Sequence, residues 1–189
     1  MQSQSALFDE LRSKLGKADS LHPAQSDPIY YAVYDPVQAL ALRKQIPIWV
    51  AALRNDGWNI QVVSAGTLLW ETINESGRYD SWVEVEGDFA QSEINNAVRE
   101  CLCYQNRLVE RIANLVTQDK PDSAVFIMDI ELLHPFFRTR AIESALHDRV
   151  KIPTVFFYPG RRTGQYGLHF LGFYAEDGNY RSTIIGGDL

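Results

Sequence analysis

Two acids stand at the ends of apolar runs, where this chain could do chemistry. IYYAVY (29–34) is followed by Asp35, and AVFIM (124–128) by Asp129. Open α/β sheets bind ligands at the carboxyl ends of their strands. With Glu131 and His134 nearby in sequence, Asp35 and Asp129 could form an oxygen-rich Mg²⁺ site, serving a metal-dependent phosphoesterase or nuclease. The plainer role for each acid is to cap the helix that follows it. AVFIMD also has the form of a Walker B strand. A phosphate site, however, needs backbone N–H groups bared by a glycine-rich turn. The turn after the first strand is Asp35-Pro36-Val37, with no glycine and an acid where phosphate would sit.

The second candidate is basic. The apolar run 153–158 meets Pro159-Gly160, then Arg161-Arg162 and Thr163-Gly164. Its glycines lack phosphate-loop spacing, and a strand rather than a helix is expected after them. The planar guanidinium suits carboxylate or phosphate. Tyr158, Tyr166 and Phe173 offer stacking surfaces. Three roles stay open for the arginines: a solvated turn, an anchor for a protein partner, and a weak or indirect contact with DNA. The partner-binding candidates are Tyr158, Gly160, Arg161, Arg162, Gly164 and Tyr166. A net charge of −6 and a pI near 5.2 argue against broad nucleic-acid binding, because a polyanion is repelled by an acidic surface.

No nucleophile is recognisable. GxSxG is absent, and His134, His147 and His169 are isolated in sequence. Cys101 and Cys103, the only cysteines, would point about 200° apart on a helix. They read as structural thiols of a reducing compartment. No cofactor is implied, and the residue chemistry favours a non-enzymatic protein.

The elements that must position these residues follow from periodicity. The 189 residues, 46% of them apolar, suit a single α/β domain over 29–189, preceded by an amphipathic helix and linker over 1–28. The helix covers 5–15, with Leu7, Leu11 and Leu15 spaced at four, and is expected to pack on the domain or on a partner. Strands are expected at 29–34, 58–64, 124–130 and 153–158. Helices are expected at 36–55, 67–75, 89–118 and 139–150. Pro47 should kink or break its helix. The longest helix should either project or break near 104–106. Residues 76–88 read as an irregular connection or a short helix. Asp177-Gly178 marks a hairpin turn between 168–174 and 180–185. Alternating strands and helices predict a mostly parallel sheet with helices on both faces and a C-terminal β-hairpin. No apolar run approaches the roughly 18 residues of a membrane span, and the start lacks a secretory pattern. A cytoplasmic protein is expected.

The segment FFYPGRRTGQYGLHFLGFYAEDGNYRSTII resembles the BrxB family, small accessory proteins of bacteriophage exclusion (BREX) systems. The likeness rests on Tyr158-Pro159-Gly160, then Gly164-Gln165, Leu168 and Gly172. It extends to IYYAVYDP with its following helix and to the long central helix. The resemblance implies a role in phage defence beside a DNA methyltransferase, an AAA-type ATPase and the alkaline-phosphatase-like PglZ. It implies an adaptor that binds PglZ, and it carries over no catalytic residue.

Overall fold

The computed structural model describes residues 3–16, 27–118, 120–178 and 180–187. Most of the linker expected before residue 29 lies outside them.

Helix α1 (Gln4–Leu15) comes first, then β1 (Ile29–Tyr34), a 3-10 turn (Pro36–Gln38) and α2 (Ala39–Asn55). Next are β2 (Asn59–Ser64), α3 (Ala65–Glu75), α4 (Tyr79–Val85), α5 (Gln91–Cys103) and α6 (Arg107–Val116). Strand β3 (Ser123–Met128), a 3-10 turn (Ile130–Leu133), α7 (Thr139–Leu146), β4 (Thr154–Thr163), β5 (Gly167–Phe170) and β6 (Thr183–Gly186) complete the order. The sheet runs β2-β3-β4-β1-β6, parallel throughout, and β5 adds antiparallel to β4. This is the expected α/β class.

The strands explain themselves. Every residue of β1 and β3 is buried, as a parallel strand covered on both faces requires. Successive side chains alternate between two cores. Tyr30, Ala32, Phe126 and Phe157 pack under α1 and α2. Tyr31, Val33, Ile127 and Phe156 pack under α3, α5, α6 and α7. Tyr31 sits at the middle of the second core, stacked on Phe156 at 5.4 Å and edge-on to Tyr180 at 4.9 Å. Helix α1 packs on the domain: Leu7, Leu11 and Leu15 are buried beside α2, and Arg12 grips Asp56 with two bonds of 2.6 Å.

Two local expectations are revised, at Pro47 and at the end of β4, and two open alternatives are decided, at 104–106 and at 76–88. Helix α2 runs unbroken through Pro47. That proline is exposed, and so is Arg43, the residue whose carbonyl it leaves without a donor. The long central helix does break, at Tyr104–Asn106, where Gln105 and Asn106 take left-handed backbone angles. The 76–88 connection contains α4. Strand β4 does not stop at Pro159-Gly160. It continues to Thr163 and turns into β5.

The C-terminal hairpin is therefore made by β4 and β5, not by the segments either side of Asp177-Gly178. Asp177 instead makes a single bridge back to Leu168, its N–H donating to the Leu168 carbonyl and the Leu168 N–H to its own. The chain then leaves to run parallel to β1. Turn preference loses to burial here. Ile184 and Ile185 enter opposite cores, each burial stabilising by about 1.5–3 kcal/mol. Buried Glu143 of α7 fixes the approach. One of its carboxylate oxygens accepts from the N–H groups of Arg181 and Ser182 at 3.1 and 3.0 Å, and from the Ser182 hydroxyl at 2.5 Å.

Candidate functional site

A cleft of about 280 Å³ opens at the carboxyl ends of β1 and β4. Val33, Tyr34 and Asp35 form one wall, and Gly160, Arg161 and Arg162 the next. Ser3, the cap of α1, and Gln4 and Leu7 of α1 line it too, with Gly187 at one end beside Val33 and Arg162. Gly187 has a φ of +61°, and a Cβ there would lie 2.9 Å from Val33 Cγ1 and 3.0 Å from Arg162 Cβ. Close backbone approach thus shapes that end of the cleft.

The two arginines do different work. Arg162 Nε donates to the Gly164 carbonyl at 3.0 Å and its Nη2 to the Gln165 carbonyl at 3.4 Å. It therefore holds the β4–β5 turn. The Arg161 side chain is exposed and makes no hydrogen bond or ion pair with a described residue. Gly164 and Tyr166 lie in that turn, with Tyr166 54% exposed. Tyr158 lies elsewhere. It is buried in the core under α7, 5.6 Å from the Phe170 ring. The fold thus gathers Gly160, Arg161 and Arg162 at one cleft, sets Gly164 and Tyr166 at the hairpin turn, and turns Tyr158 away.

The acids are separated too. Asp35 Oδ1 accepts from the Val37 N–H at 3.0 Å, the capping role its position suggests. Asp129 caps nothing. It sits at φ +60° and accepts from Arg43 Nη2 at 2.5 Å. Strand β4 lies between β1 and β3, so the two strand ends are about 10 Å apart. Glu131 is half-buried, and burial raises its pKa, with Asp129 adding to the rise and Arg43 opposing it. Burial likewise raises the Tyr34 hydroxyl.

Among the described residues, only Asp27, His147 and Asp148 bring three ligand-type atoms within 4.8 Å of one another. Arg181 approaches His147 Nε2 at 3.3 Å. His147 Nδ1 lies 2.6 Å from Asp27 Oδ2, and Nε2 lies 3.5 Å from Asp148 Oδ2. Both ring nitrogens are thereby engaged, and the cluster ties the end of α7 to the chain entering β1.

Sequence reasoning missed a smaller pocket of about 140 Å³ on the α7 side of the sheet. Tyr158, Phe170, Tyr174, Tyr180, His134 and Phe137 line it, and Arg138 meets Asp177 at its edge at 3.6 Å. Burial, then Arg138, lowers the His134 pKa. The aromatics of 168–174 and 180 are visible in the sequence, but their spacing predicts a hairpin, and the hairpin forms elsewhere.

A family model for the BREX protein BrxB matches residues 62–185. The chain belongs to this BrxB family. The match spans well over half of the 189 residues. It includes Arg161, Arg162, α4 and the aromatic pocket, and leaves out α1 and β1. No curated protein and no solved structure matches the chain. BrxB membership points to an accessory role in BREX defence, with other BREX components as partners. Among the described residues, no helix is long and apolar enough to cross a membrane.

Proposed function

We propose that this chain is a non-catalytic adaptor of a BREX complex in the cytoplasm, and that it binds the PglZ-like component through the rim around Arg161. The observation that carries this reading is the state of Arg161. It is an exposed guanidinium at the mouth of a cleft, with no described partner of its own. Arginine at such a rim suits a carboxylate on a partner protein and is enriched among interface hot spots. Gly160, Gly164 and Tyr166 belong to the reading as the frame of the rim. Arg162 supports it indirectly, by holding the turn that carries Arg161. Tyr158 contributes from beneath, as core.

Co-purification of the folded chain with the folded PglZ-like protein tests it. Association at micromolar concentrations is expected. Arg161→Ala should weaken it while leaving thermal unfolding unchanged. Absence of any association would overturn the reading, and so would undiminished binding by the Arg161 variant. Arg162→Ala is the poorer probe, because it also loosens the hairpin.

A further inference from the structure

The excess negative charge of this chain is concentrated in one stretch. Residues 71–93 hold seven acids against one base, Arg78, and so carry the whole net charge of −6. Glu71 and Glu75 flank Arg111 and pair with it. Asp80, Glu84, Glu86 and Asp88 form no ion pair with any described residue.

The same stretch bares apolar surface. Trp70, Tyr79, Val83 and Phe89 are 51, 42, 53 and 51% exposed. Helix α4 has no buried residue. Half-buried Trp82 packs it against the core, and an edge-on contact of 5.6 Å between Trp70 and Tyr79 links it to α3. A surface helix ordinarily turns its apolar side inward. Here one tryptophan is turned in while tyrosine, valine and phenylalanine face out among acids. Exposed apolar surface rimmed by charge marks an interaction site.

We propose that α4 and the turn after it dock a partner protein whose apolar patch is bordered by lysines and arginines. Sign decides the occupant. Nucleic acid and anionic membrane are repelled by four unpaired carboxylates. A second copy of this chain related by a two-fold axis would set acids against acids. A basic, partly apolar protein surface satisfies both features. The site is independent of the Arg161 rim. Trp82 places α4 with the core beneath α3 and α5, whereas the cleft lies beside α1. The two carry opposite charge, so one adaptor can hold two differently charged surfaces.

The test co-expresses the tagged full chain with the other proteins of its BREX locus and maps the purified complex by hydrogen exchange. Two variants are compared, Val83→Ser with Phe89→Ser, and Asp80→Lys with Glu84→Lys and Glu86→Lys. Circular dichroism confirms that each is folded. The wild-type complex should protect amides 79–89 and should weaken as salt rises from about 50 to about 500 mM. Each variant should lose about tenfold or more in affinity, while Arg161→Ala leaves the protection of 79–89 unchanged. The proposal is overturned if no complex forms, if amides 79–89 stay unprotected, if either variant binds as the wild type does, or if the patch instead drives self-association.

Discussion

Arg43, on α2, meets Asp129, at the end of β3, at 2.5 Å across the carboxyl edge of the sheet. The acid best placed for metal chemistry thus already has a cation. Its companion Asp35 is spent on the Val37 N–H. Titration with Mg²⁺ or Mn²⁺ should give no saturable heat in the native chain. Tight binding that disappears in Asp129→Asn would reinstate the metal-dependent reading. Arg43→Ala should cost only about 0.2–1 kcal/mol by thermal unfolding, since the Arg43 side chain is 55% exposed and screened by water.

Glu131 supplies a pH dependence. Its folded pKa is raised above the ordinary 4.5, chiefly by burial. As pH rises through that value the unfolded chain ionises first, so the native state loses stability until its own carboxyl has ionised. Glu131→Gln should therefore be more stable than the native chain at pH 7. The gain should shrink on acidification and vanish below the unfolded pKa. Unfolding curves across that range check the sign, and a variant less stable at pH 7 would refute it.

Gly160 leaves no room for a methyl group. A Cβ there would collide with the His169 carbonyl oxygen and lie 2.9 Å from Tyr158 Cε1. Gly160→Ala should cost about 1–3 kcal/mol or more and push β5 off β4. Faster exchange of the Leu171 N–H, which donates to the Pro159 carbonyl at 2.9 Å, would report the displacement. Unchanged exchange would show that the hairpin adapts.

Glu143 anchors the entry to β6. Glu143→Ala leaves two backbone donors and the Ser182 hydroxyl without their acceptor. The expected loss is about 2–4 kcal/mol. Glu143→Gln keeps an acceptor oxygen and should cost about half as much or less. Equal losses in the two variants would mean that charge, not hydrogen bonding, holds the segment.

The element pattern was legible because burial writes itself into strands. IYYAVY and AVFIM are short, aromatic and β-branched runs, apolar without alternation, which fits a strand covered on both faces. Asp35 as a cap was legible because Pro36 follows it. Asp129 was not, because its partner lies 86 positions away and no local pattern announces a cation on another helix. Gly160, Arg161 and Arg162 could be singled out as a rim, but the sequence did not separate the arginine that holds the turn from the one whose side chain no described residue holds.

By itself the sequence determined the fold class, the helix that packs through Leu7, Leu11 and Leu15, and the likeness to the BrxB family. These are properties of local period and local motif. Tertiary structure alone decided which strand the C-terminal segment would join. It gave β5 to β4 and β6 to β1 because Ile184 and Ile185 gain more from two cores than a tight turn gains from Asp177-Gly178. It likewise turned Tyr158 inward and left Arg161 outside. Such pairings depend on what competes for the same buried space, and that competition exists only once the chain has folded.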